Sequence, residues 1–306
     1  MEYSNLTSSV TVLPWNGYHT AISLTFDDGD ISQSDIVLPS LEARGMRGTF
    51  FLTVNWLKNE DKWQRAYHYG HEIGNHSMSH RMPFDFTLED VVNETIVAKN
   101  KLEERFSARI VSYAYPYTLT SPQMIEELSK SHLGARIGQL DSYYMQADST
   151  PDWYALESVV TLSDIPIETY IEWVDKSSEY GAWTVFQMHA VEGTIDGYQP
   201  IPLSVFDSLL DYLSGCSDVW IATFGEVCAY WRASKILEGS IANTPLGSKV
   251  VWNKPPVIPE GIYIKVLVNT LKKQIIVQDG KPAKEIEENI YSISFDKGNL
   301  ALKYKE

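Results

Sequence analysis

The sequence predicts an α/β fold, with strands and helices alternating around a parallel sheet, followed by a small all-β segment. Three observations lead there. Apolar, β-prone runs recur at 20–26, 47–53, 110–114, 156–161, 182–188 and 218–222. Between and after them lie stretches with helical periodicity at 33–44, 87–106, 121–131, 165–179, 202–214 and 223–236. Near Asn243-Thr244-Pro245-Leu246-Gly247 the character changes, and Pro255, Pro256 and Pro259 follow. The division expected from this is a domain over 1–243 and a β-rich domain over 244–306.

Taken in order, the first run, Ala21-Ile22-Ser23-Leu24-Thr25-Phe26, reads as a buried strand delivering Asp27, Asp28 and the turn residue Gly29. Consecutive strand residues point to opposite faces, so the two aspartates can hold separate roles. Arg47-Gly48-Thr49-Phe50-Phe51-Leu52 reads as the next strand. Beyond it, His76 and His80 stand four apart, and a helical turn would bring both imidazoles to one face. Two imidazoles and a carboxylate from elsewhere make a three-ligand set that leaves a position open for water. Glu89 to Arg105 carries apolar residues at helical intervals, with charge on the other face. After the break, Ile262 to Val268 alternates, and 274–278, 290–295 and 300–304 are strand-like, with Asp279-Gly280 and Lys297-Gly298 as turns. A segment of roughly 60 residues is marginal by itself, so it is expected to dock on the larger domain or a partner.

Composition narrows the function. The chain has 306 residues, 44% of them hydrophobic, with nine Trp and eighteen Tyr, enough for a large core. A net charge of −15 opposes binding to nucleic-acid phosphates. No apolar stretch reaches membrane-spanning length. Met1-Glu2-Tyr3-Ser4-Asn5 lacks the basic and apolar regions of a signal peptide. The expectation is a cytoplasmic protein, or a mature extracellular or periplasmic form with an added methionine. Cys216 and Cys228 fall outside every motif and are expected as buried free thiols.

The motifs together resemble the polysaccharide deacetylases, carbohydrate esterase family four. Thr25-Phe26-Asp27-Asp28-Gly29 matches the first family motif, and His76-Ser77-Met78-Ser79-His80 the second, with Gly70-His71-Glu72-Ile73-Gly74-Asn75 leading in. Ala114-Tyr115-Pro116-Tyr117 is similar to the third, and Val185-Phe186-Gln187-Met188-His189 to the last. The resemblance spans roughly residues 18 to 232 and implies a distorted (β/α) barrel with incomplete repeats, with the motifs at strand C-terminal ends. It implies Asp28, His76 and His80 as ligands of a divalent metal, zinc first, with cobalt, manganese or nickel also fitting. It further implies Asp27 as general base, His189 as general acid, and the Tyr117 N–H as oxyanion donor. The third motif lacks its arginine, for which Arg136 is the candidate replacement; the fourth has only Asp152-Trp153 as its nearest fragment.

The expected activity is metal-dependent removal of acetyl from an N- or O-acetylated oligo- or polysaccharide. Hydrolysis of a small non-carbohydrate amide and a degenerate glycan-binding module are the alternatives. Trp56, Trp63, Trp153 and Trp183 are expected mainly in packing, with a sugar site as the other reading. Asn75 is expected to fix the backbone beside the ligand histidines.

Overall fold

The computed structural model of the protein describes residues 9–140, 144–193, 197–245, 247–269 and 274–304. Met1 to Asn5, on which the leader reading rests, lie outside them. The chain forms two compact units, His19–Cys228 and a second made of Met1–Tyr18 with Ala229–Glu306. The division falls inside the Phe224–Ala242 helix. The change in composition places it instead at 243/244 and does not group the first residues with the last.

The larger unit is a closed barrel of seven parallel strands: Thr20–Asp28, Thr49–Leu52, Glu72–Asn75, Ser112–Ala114, Gly134–Gln139, Leu156–Val160 and Ala182–Met188. Closure comes from pairing the first strand with the last, from Ala21↔Trp183 to Phe26↔Met188. Val219–Ile221 adds beside Thr20–Ile22 in parallel. With fewer than eight repeats, this is the distorted (β/α) barrel that the motifs implied. The first strand is buried along nearly its whole length, as a strand covered on both faces must be. Ile22, Leu24 and Phe26 face the helical layer, where Phe26 stacks on Phe50 at 5.1 Å and Phe50 meets Trp63 at 5.2 Å. Ser23, Thr25 and Asp27 alternate with them and take the opposite face. Trp63 and Trp183 are core residues, and Trp153 packs at the edge of a smaller cluster.

Two barrel strands and one helix went unread in the sequence. Glu72–Asn75 and Gly134–Gln139 are glycine-bearing, and their inward positions include Glu72 and Arg136, so they lack an apolar signature. The Glu60–Tyr69 helix starts after Asn59 without a side-chain cap. Cys228 is buried and Cys216 half-buried, and the two form no disulfide.

In the second unit, two antiparallel sheets form. One orders Ser9–Val12, Tyr263–Asn269, Ile290–Ser294 and Lys284–Glu287; the other orders Val250–Val251, Asn299–Tyr304, Gln274–Gln278 and Lys281–Pro282. Ile264, Val266 and Val268 turn inward, as the alternation predicts. Asp279-Gly280 is a two-residue hairpin turn, both residues at positive φ. Among the described residues no helix is long and apolar enough to cross a membrane.

Candidate active site

At the C-terminal edge of the barrel, Asp28, His76 and His80 converge, their ligand atoms all within 4.8 Å of one another. Asp28 Oδ1 lies 3.4 Å from Nε2 of each histidine. The convergence does not use a helical turn. Residues 76–80 form a loop after the Glu72–Asn75 strand, with Ser77 (φ 74) and His80 (φ 58) in the left-handed region. Ser77 Oγ accepts from His80 N–H at 2.9 Å, which closes the loop so that both rings face Asp28. Asn75 holds its start: Oδ1 accepts from Ser77 N–H at 3.0 Å. His76 Nδ1 pairs with the Ala114 carbonyl at 2.8 Å, which fixes that ring and aims Nε2 at Asp28. His80 sits between two exposed aromatics, Trp56 at 4.7 Å and Tyr117 at 4.5 Å between ring centroids.

The two aspartates take separate positions. Asp28 ends its strand at φ 78, followed by Gly29 at φ 81, so the chain turns sharply there. Asp27 points into the barrel, 1% exposed, where both its oxygens accept from Arg136 Nη2. Arg136 is 1% exposed, comes from the Gly134–Gln139 strand, and lies over the Phe51 ring at 5.1 Å. Its Nη1 donates to Ser158 Oγ at 3.0 Å. Thus a guanidinium from another strand reaches Asp27.

Gln187 has no role in the sequence analysis, though with Thr184 it is one of two polar residues in an otherwise apolar strand, two before His189. Its Nε2 donates to Asp27 Oδ2 at 3.0 Å, and Ser158 Oγ donates to its Oε1 at 3.2 Å. Gly138 makes room for it: a Cβ there would lie 2.2 Å from Gln187 Oε1. His189 Nε2 lies 3.9 Å from Asp27 Oδ2, and the Tyr198 ring crosses it at 4.8 Å. Its buried Nδ1 has no hydrogen-bond partner among the described residues. Asp152 instead closes a local turn, accepting from Tyr154 N–H at 2.9 Å. Tyr117 occupies a short 3-10 turn, Pro116–Thr118, at φ 56; a first-turn N–H has no intrahelical acceptor.

Charge follows from these neighbours. Burial pushes the Asp27 carboxyl up, but Arg136, then His76 and His189, bring it below the usual carboxylate range. Burial likewise raises Asp28, and contact with His76 more than offsets this, bringing it to about 2. Burial lowers His76, yet Asp27 and Asp28 beside it carry it above its ordinary value. His80 falls to about 4 through burial and the neighbouring His76, and His189 falls through burial. Asp28 Oδ1 is buried without a well-formed hydrogen bond, facing two imidazole nitrogens, a donor set that suits a zinc-like cation.

The centre opens on a cleft with two lobes. One, about 480 Å³, is lined by Asp27, Asp28, His76, His80, Tyr117, Gln187 and His189 among others. The second, about 650 Å³, runs past Asp28, Asp30, Ile31, Asn55 and Lys58. Trp56, His189 and Tyr198 border both. Trp56 and Tyr198 are exposed, so Trp56 departs from the packing role expected of it.

Residues 17–135 match the family described as polysaccharide deacetylase. Over this segment the chain is similar to the polysaccharide deacetylases. The matched deacetylase segment holds Asp27, Asp28, His76, His80 and Tyr117, whereas Arg136 and His189 lie beyond it. No curated protein sequence matches the chain. Among solved structures, a candidate polysaccharide deacetylase from Mycobacterium smegmatis aligns with TM-score 0.59 at 16% identity, over 81% of this chain and 99% of that one. A peptidoglycan N-acetylglucosamine deacetylase aligns with TM-score 0.52 at 20% identity, over 71% and 91%. A family 4 acetyl xylan esterase from Clostridium thermocellum, solved with a cobalt ion, aligns with TM-score 0.50 at 20% identity, over 68% and 89%. At these identities the likeness establishes the deacetylase-type barrel.

Proposed function

We propose that the cleft removes acetyl groups from an N- or O-acetylated carbohydrate, with a divalent cation, zinc first, held by Asp28, His76 and His80. The observation that carries this reading is the convergence of those three ligand atoms within 4.8 Å, beside a buried carboxylate and a third histidine on one cleft. A cation bound there supplies Lewis-acid polarisation of the acetyl carbonyl and a more acidic water. Asp27, ionised and held by Arg136 and Gln187, takes the proton of the attacking water. His189 passes a proton to the departing amine or alkoxide; as a group lowered by burial, it must be charged during turnover. The Tyr117 N–H stabilises the oxyanion, a contribution typically of about 3–4 kcal/mol. Exposed Trp56, Tyr117 and Tyr198 around the cleft support a sugar-sized substrate. Residues 244–306 take an accessory role; a chain lacking them should still bind metal.

The test is a screen of metal-loaded protein against acetylated oligosaccharides and small amides. Acetate release, abolished by chelation and restored by zinc or cobalt, is expected. Ammonia release from a small amide alone would move the activity to that alternative. Binding of glycan and metal without turnover would make the chain a binding module. Full activity in protein shown to be metal-free would overturn the cation's part.

A further inference from the structure

Two helices of the barrel unit contain a widened π-helical turn, at Gln33–Val37 and at Asn93–Val97. Such turns are rare and are found frequently at functional sites. Each of these carries a buried polar side chain that leaves its own helix and bonds the backbone of a site segment. Glu94, 2% exposed, reaches the loop between His76 and His80. Its Oε2 accepts from the N–H groups of Met78 at 3.0 Å and Ser79 at 2.9 Å, and its Oε1 from Ser79 Oγ at 2.5 Å. The same turn offers the Thr95 carbonyl to Asn75 Nδ2 at 2.8 Å, so the histidine loop is held at its start and its middle from one place. Gln33 is fully buried, and its Nε2 donates to the carbonyls of Asp27 and, at 3.0 Å, His189. It joins the ends of the first and last barrel strands just past their final pair, Phe26↔Met188.

We infer that Glu94 and Gln33 are positioning residues with separate targets, Glu94 setting the spacing of His76 and His80, and Gln33 setting that of Asp27 and His189. The inference rests on the reading of the site given above. Glu94 acts where two left-handed residues would otherwise leave the loop free to reopen. Removing its carboxylate leaves the buried Met78 N–H and the half-buried Ser79 N–H without their acceptor, which favours movement of the loop. Among the described residues, the hydrogen bonds of Gln33 go to backbone carbonyls and not to the side chains of the proposed ligand set. Its loss should leave cation binding alone and spoil the geometry of proton transfer, where a displacement of about 1 Å can cost on the order of 10²-fold in rate.

The experiment measures Co(II) affinity by calorimetry, Tm, and kcat and KM on an acetylated glucosamine oligomer, for the full-length wild type and each variant. Glu94→Ala should weaken Co(II) binding by about 10–100-fold, the usual range for groups that orient metal ligands. Glu94→Gln should restore most of it, because an amide oxygen can accept both N–H groups while its nitrogen donates to Ser79 Oγ. Gln33→Leu should keep the wild-type Kd for Co(II) and the wild-type KM, with kcat lowered about 10–100-fold. Should Glu94→Ala fail to fold, Glu94→Asp, one methylene shorter, should give an intermediate loss of affinity. A wild-type chain that binds Co(II), with Glu94 variants that bind it equally well, would overturn the inference while leaving the site reading intact. So would a Gln33→Leu variant changed only in Tm. A wild-type chain that binds no cation would remove the site reading and this inference together.

Discussion

Asp27 and Glu72 are carboxylates on the inner face of one barrel, and their surroundings treat them in opposite ways. Asp27, at the end of its strand, is fully enclosed beside Arg136 and is held below its ordinary pKa. Glu72, at the start of its strand, keeps some solvent access and has neutral donors: Thr49 Oγ1 at 2.8 Å, Ser112 Oγ at 2.6 Å and Gly225 N–H at 2.7 Å. Burial, with Glu226 adding a like charge, outweighs those bonds and raises Glu72. Burial acts upward on both groups, so the sign is decided by whether a full positive charge stands in contact. The barrel therefore keeps an ionised carboxylate where its cleft opens and, beside the Gly225 N–H, one whose charged form is disfavoured.

Arg136→Met should break this contrast most severely. It leaves the Asp27 charge buried without its partner, a loss of typically about 3–5 kcal/mol, visible as a large fall in Tm together with loss of turnover. Adding Asp27→Asn should return much of the stability but none of the activity; if it returns neither, the pair is not what sets the penalty. A smaller effect is expected for Gly138→Ala, whose Cβ would push Gln187 off Asp27 and cost about 1–3 kcal/mol by denaturant titration. Here kcat should fall while the metal affinity holds.

Glu72→Gln should do least. A raised folded-state pKa means that Glu72 contributes stability below its unfolded value, lost as pH climbs through the folded value. The variant lacks that loss, so its Tm relative to wild type should move in its favour as pH rises above the ordinary glutamate range, with turnover unchanged. A gap constant with pH would mean that Glu72 titrates normally.

Much of this was legible in the sequence because the motifs are local. Thr25 to Gly29 and His76 to His80 fix the order of the ligands, and the apolar runs around Thr20–Asp28 and Ala182–Met188 announce the strands that close the barrel. What stayed hidden depends on pairing across distance. Glu72–Asn75 and Gly134–Gln139 read as polar and glycine-rich because their inner faces serve the barrel's polar interior, so hydrophobic periodicity has little to register. The histidine spacing suggested a helical turn, whereas the structure reaches the same convergence through left-handed residues at Ser77 and His80, which spacing alone does not distinguish. Gln33 and Glu94 lie inside helices whose widened turns have no signature in composition.

The claim that neighbouring aspartates divide the work, one at the cation and one at the water, is tested most directly by measuring bound metal per chain and turnover for Asp27→Asn beside Asp28→Asn. Asp28→Asn should weaken metal binding, since a charged ligand becomes a neutral amide. Asp27→Asn should bind the cation in the wild-type ratio while its rate falls by roughly 10²–10⁴-fold. Two variants that both hold metal normally and both turn over would contradict the account, and would leave Asp27-Asp28-Gly29 as a structural turn.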